Sequence, residues 1–92
     1  MALTERVHLT FRGRVQGVGF RWFVRELAQR MRVSGWVRNL PGGDVEAQAE
    51  AEPEVLRRFV SAVRGGPGYA RVDEFEQRGV PAQDDREPFA IV

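Results

Sequence analysis

The chain has 92 residues, 42% of them hydrophobic, which supports one domain over 1–92 with one modest core and leaves no room for a second. A net charge of +1 excludes a global field that would draw the protein onto nucleic acid or an anionic membrane, so any anion site must be local and the expected partner small. With no cysteine, disulfides, thiolate metal sites and cysteine nucleophiles are excluded together, which suits a reducing cytoplasm.

All 14 basic residues are arginine, a bias that coding composition and heat tolerance explain equally well. No apolar run approaches the roughly 20 residues of a spanning helix, and the N-terminus lacks the apolar stretch of a signal peptide. The expectation is a cytoplasmic protein without a membrane partner.

In chain order, Val7, Leu9 and Phe11 alternate with His8, Thr10 and Arg12, which reads as a half-buried first strand. His8 lies on the polar face and, with no acidic neighbour in its strand, reads as solvated. Then comes Gly13-Arg14-Val15-Gln16-Gly17-Val18-Gly19-Phe20-Arg21, a glycine-rich turn that opens into a helix. Its glycines allow positive φ, so that consecutive N–H groups can converge where the first helical turn also points its unpaired amides. Arg21 adds a planar guanidinium able to hold two phosphate oxygens at once. The spacing is neither that of a Walker loop nor that of a dinucleotide fingerprint.

Phe20, Phe23, Val24, Leu27 and Met31 form the apolar stripe of a first helix. Gly35-Trp36-Val37-Arg38-Asn39 is a short second strand that ends in the turn Leu40-Pro41-Gly42-Gly43-Asp44, with Trp36 read as core packing and Arg38 as a solvated charge. Val45, Ala47, Ala49 and Ala51 alternate with Glu46, Gln48 and Glu50 in a third strand whose small inward residues leave room for a helix. That second helix begins at Pro53, carries Val55, Leu56, Phe59, Val60 and Val63, and stops at Gly65-Gly66. Ala70 to Arg78 reads as a fourth strand in which Val72 and Phe75 break alternation, the mark of a bulge or a wrong phase. Gly79 to Pro88 reads as a loop, and Phe89 to Val92 as a short closing strand.

This βαββαβ order, with two right-handed crossovers and one hairpin, packs as an α+β ferredoxin-like sandwich, an antiparallel sheet with both helices on one face. The fold does not choose a function. RNA recognition needs aromatic residues on the open sheet face, where the third strand offers Glu46, Gln48 and Glu50. A small-ligand sensor needs only the anion cradle. An enzyme with this loop has no covalent nucleophile, because Val15 stands where cysteine phosphatases carry their thiolate. What remains is direct attack by water, with loop amides and Arg21 on the phosphoryl oxygens. Asn39 can orient such a water without changing protonation state. It is equally a natural turn residue bonding its own backbone, and the residues alone favour that reading.

The run Gly13-x-Val15-Gln16-Gly17-Val18-x-Phe20-Arg21, followed by Gly35-Trp36-Val37-Arg38-Asn39, resembles the paired signatures of the acylphosphatase family. The likeness extends through Val45-Glu46, Gly66-Pro67 and Phe89-x-Ile91, nearly the whole chain. It implies that Arg21 binds phosphate, that Asn39 orients the water, and that the backbone amides of Val15, Gln16, Gly17, Val18, Gly19 and Phe20 line the cradle. It also implies a monomer acting on small acyl phosphates, with inorganic phosphate as product or inhibitor and with no metal or cofactor. Chemistry points the same way, since an acyl phosphate releases a stable carboxylate and needs no general acid. Gly42 departs from the family, standing where aspartate often precedes glycine.

Overall fold

The computed structural model describes residues 3–92. The alternating first run becomes strand β1 (Glu5–Arg14), which buries Val7, Leu9 and Phe11 on one face. Helix α1 (Phe20–Met31) buries Phe20, Val24 and Ala28, with Phe23, Leu27 and Met31 packed at the margin of the same core. Strands β2 (Ser34–Asn39) and β3 (Val45–Ala51) form an antiparallel hairpin, registered from Ser34↔Glu50 to Asn39↔Val45. Its turn closes through Leu40 N–H to Asp44 O at 2.7 Å, with Gly42 and Gly43 at φ 93 and 108, so glycine in place of aspartate leaves the hairpin intact.

Helix α2 (Pro53–Gly65) starts on its proline and ends at Gly66, φ 68, and it buries Leu56, Phe59, Val60 and Val63. Strands β4 (Arg71–Val80) and β5 (Ala90–Ile91) complete a sheet of order β4-β1-β3-β2-β5. α1 lies on β2 and against α2, while α2 covers β1, β3 and β4. Val45, Ala47 and Ala49 are fully buried beneath the helices, their short side chains setting a close helix-to-sheet approach. The result is the ferredoxin-like α+β sandwich. One edge departs from an all-antiparallel sheet: β5 runs parallel to β2, with Trp36 opposite Ala90 and Val37 opposite Ile91.

The broken alternation of β4 is a bulge. Arg12 pairs with Glu74 and Gly13 with Val72, so Asp73 has no residue opposite it, and Val72 and Phe75 can both face the core. Gly13 makes this possible, since at φ 136 a Cβ there would overlap the Arg71 carbonyl oxygen and lie 2.8 Å from the amide nitrogen of Asp73.

Three expectations are corrected on the open face of the sheet. His8 is not solvated: its Nε2 lies 2.9 Å from Glu46 Oε2 on the neighbouring strand. Trp36 is not in the core, because Val37 takes the inward position; Trp36 is half-buried on the open face, with the Arg38 guanidinium 5.1 Å from its ring centre and His8 edge-on at 6.4 Å. Arg38, though exposed, is paired with Glu46 at 2.5 Å and is more than a solvated charge.

At the far end of the same face, Arg6 and Glu50, 3% and 2% exposed, form a buried ion pair at 3.2 Å. Thr4 Oγ1 and the Gln83 N–H also donate to the Glu50 carboxylate, at 2.7 and 2.8 Å, pinning the segment that carries the chain from β4 to β5. Burial pushes the Glu50 carboxyl up, but the bonds from Gln83, Thr4 and Arg6 outweigh it and hold the group below its ordinary 4.5. A carboxyl depressed by folding contributes stability above its unfolded pKa and loses it as pH falls through the folded one. The denaturant midpoint should therefore fall as pH drops below 4.5, less steeply in Glu50→Gln than in the parent. Glu50→Ala leaves the buried Arg6 with Asp85 at 3.5 Å and Gln48 Oε1 at 2.7 Å as its remaining partners, and should cost about 1–3 kcal/mol, read from the same titrations at pH 7.

Candidate active site

The turn from β1 into α1 is anchored at both ends and open between them. Val15 and Phe20 are each 1% exposed and sit in the core, Val18 packs at its margin, and Gly17 and Gly19 stand exposed at φ 72 and 78. Alternating left-handed glycines with ordinary residues turns successive N–H groups inward. Among the described residues no backbone carbonyl accepts from any amide between Gln16 and Trp22; the first bond of the helical ladder is Phe23 N–H to Gly19 O at 3.1 Å. Gly19 is the N-cap of α1, and no side chain caps the helix. The loop donors and the positive end of the helix dipole thus share one end of α1.

Arg21 lies in the first turn of α1, partly buried, and enters none of the ion pairs among the described residues. The first turn also carries no acidic side chain. Two other arginines on the hairpin side are committed elsewhere. Arg12 contacts Glu76 at 2.5 Å and Asp44 at 3.1 Å, which raises its pKa, Glu76 contributing most, and Arg38 is held by Glu46. Arg21 is thus a cation of the loop that remains available to a ligand.

Asn39 ends β2, immediately before the hairpin turn. The turn-residue reading of this side chain does not hold: the turn is closed by backbone bonds between Leu40, Gly43 and Asp44, and Asn39 Oδ1 is buried with no hydrogen-bond partner. An unsatisfied buried oxygen costs about 1–3 kcal/mol, so this acceptor calls for an explanation that the turn itself does not supply.

A contact not foreseen from the sequence joins the two motifs. The side-chain amide of Gln16 donates from Nε2 to the carbonyl oxygens of Leu40 and Asp44, both at 2.8 Å. Both hydrogens of one amide group are used, and the residue after Asn39 is thereby tied to the glycine loop. Gln16 was expected to contribute its backbone amide alone. The loop residues Val15 to Phe20, Arg21 and Asn39 consequently lie on one end of the sandwich. Among the described residues no group of three or more His, Asp or Glu side chains is placed to hold a metal ion, and no helix is long and apolar enough to cross a membrane.

The chain as a whole is similar to known proteins. The acylphosphatase family model matches residues 7–91. An acylphosphatase of Rubrobacter xylanophilus is 46% identical over 88 residues, covering 96% of this chain and 80% of that protein. One from Thermococcus kodakarensis is 49% identical over 71 residues, 77% of this chain and 78% of the relative. The crystal structure of the acylphosphatase from Bacillus subtilis superposes with a TM-score of 0.90 at 34% identity, covering 98% of this chain and 99% of that one. In fold and over nearly its full length, the chain belongs to the acylphosphatase family, whose activity is the hydrolysis of acyl phosphates.

Proposed function

We propose that the loop amides of Val15 to Phe20 and the Arg21 guanidinium hold the phosphoryl group of an acyl phosphate while Asn39 presents a water to phosphorus. The observation that carries this reading is the buried, unpartnered Oδ1 of Asn39, an acceptor that a water can satisfy. The water oxygen forms a bond to phosphorus as the bond from phosphorus to the acyl oxygen breaks. One water proton passes to a phosphoryl oxygen, and the products are a carboxylate and dihydrogen phosphate. No side chain need accept a proton, and no acid need supply one, because the leaving carboxylate is stable as an anion. The fixed donors act where negative charge concentrates, in the manner of an oxyanion hole.

Every group in this scheme comes from one chain, so we read the working unit as a monomer that needs no cofactor or nucleic acid. The residues of the site offer a phosphate positive charge and donors and offer a metal few oxygens, which supports a metal-independent reaction. Purified protein in excess chelator should release phosphate rapidly from benzoyl phosphate and negligibly from p-nitrophenyl phosphate, which must expel a poorer leaving group. Turnover of neither compound points to a phosphate-binding module. Turnover of the first that disappears with chelator and returns with magnesium overturns the mechanism.

A further inference from the structure

The site as described has a phosphate side and a water side, and the acyl group still needs a place. Three rings or clefts compete for it. The cleft of about 480 Å³ beside Gln29, Arg32 and Phe89 lies at the C-terminal end of α1, a helix length from the loop. Trp22 is 57% exposed in the first turn, but the Arg25 guanidinium lies 3.9 Å from its ring centre and takes one face. Tyr69 is different. It is 61% exposed and stands at the loop itself: a Cβ built on Gly19 would come to 3.7 Å from its Cε2 and 3.8 Å from its hydroxyl oxygen.

Backbone places this ring there. α2 ends at Gly66, and the turn that follows is closed by Ala70 N–H to Pro67 O at 3.0 Å, which delivers Tyr69 outward just before β4. Tyr69 forms no side-chain hydrogen bond, aromatic pair or cation–π contact among the described residues, so its exposed ring is not committed to another side chain in these ways.

In-line displacement puts nucleophile and leaving group on opposite sides of phosphorus. Asn39 and the hairpin are tied to the loop at Gln16, its early end, whereas Tyr69 meets it at Gly19, its late end. The two contacts meet the loop at different points, so a water on the hairpin side leaves the Tyr69 side for the departing carboxylate in the arrangement proposed here. We propose that the Tyr69 ring is the acyl-binding wall of the site and makes this chain prefer aromatic acyl phosphates over small ones such as acetyl phosphate. The inference rests on the reading of the loop as the phosphoryl site. Ring stacking of this kind is a modest effect that alters substrate binding more than the chemical step.

The test compares benzoyl phosphate with acetyl phosphate in the parent, Tyr69→Ala and Tyr69→Phe. The ratio of kcat/KM for the aromatic over the small substrate should fall about 3- to 10-fold in Tyr69→Ala, through KM for benzoyl phosphate, and stay at the parental value in Tyr69→Phe. An unchanged ratio in Tyr69→Ala overturns the proposal, as does a loss shared equally by both substrates. A Phe variant as poor as the Ala variant also overturns it, since the hydroxyl and not the ring would then be acting. Calorimetric binding of the phosphonate analogues of the two substrates separates this inference from the reaction itself. A parent that prefers the aromatic phosphonate in a Tyr69-dependent way but hydrolyses neither acyl phosphate keeps the acyl wall and discards the hydrolytic reading. Equal binding of the two phosphonates discards the wall.

Discussion

Arg21→Ala should lower kcat/KM for an acyl phosphate by about 10³-fold or more and remove inhibition by inorganic phosphate, while the protein stays folded. The scale is that of losing a guanidinium from phosphoryl transfer, where a charge on the transferring oxygens is worth about 10³–10⁵ in rate. The fold should not suffer, because Arg21 has no ion-pair partner among the described residues to strand. A cation in the first turn also opposes the positive end of the helix dipole, an arrangement that disfavours the folded state by a few tenths of a kcal/mol. Alanine should relieve that repulsion, so the denaturant midpoint should hold or rise slightly as activity vanishes. Arg21→Lys should recover little, since an ammonium cannot reproduce the two parallel bonds of the guanidinium. Calorimetric titration with phosphate checks the binding half: parental affinity in Arg21→Ala would make the loop a turn and nothing more.

The parts of this molecule that could be read from the sequence are those governed by local periodicity. β1 and β3 show period two because one face is buried beneath helices, and α1 and α2 show their stripes because each has one core-facing side. β4 resisted because its phase changes at Asp73, and that bulge exists only against Gly13, a residue of another strand. His8 was misjudged for a related reason. Within its own strand it has no acidic neighbour, but register sets it beside β3, where Glu46 supplies the partner. Trp36 was avoidable: alternation through Gly35 and Val37, both buried, already assigns it to the opposite face.

At the candidate site, the glycine pattern displayed the loop, while the Gln16 strut was invisible because its two acceptors lie 24 and 28 residues away. The ambiguity at Asn39 was real in the sequence, where an asparagine before a proline-glycine turn looks the same whether it caps the turn or faces a ligand. The hydrogen-bond pattern removes the first reading, because the turn closes without its help.

Asn39→Ala should separate rate from binding. If the Asn39 oxygen positions the attacking water and carries none of the phosphate, its loss removes an interaction that matters only once water must be aligned with phosphorus. The expected result is a fall of roughly 10²-fold or more in kcat, the scale of a misplaced reacting group, with inorganic phosphate bound about as tightly as in the parent. Stability should not confound this measurement. The side chain leaves a buried acceptor unpaired, so alanine removes a desolvated oxygen at no cost in hydrogen bonds made by that atom. The strand pairing of Asn39 with Val45 and the Gln16 bonds to Leu40 and Asp44 remain, so the hairpin should keep its place against the loop. A denaturant midpoint well below the parent's would instead return Asn39 to a structural role in the turn. A folded variant that works at the parental rate would show that the water is held by the loop or by the substrate itself.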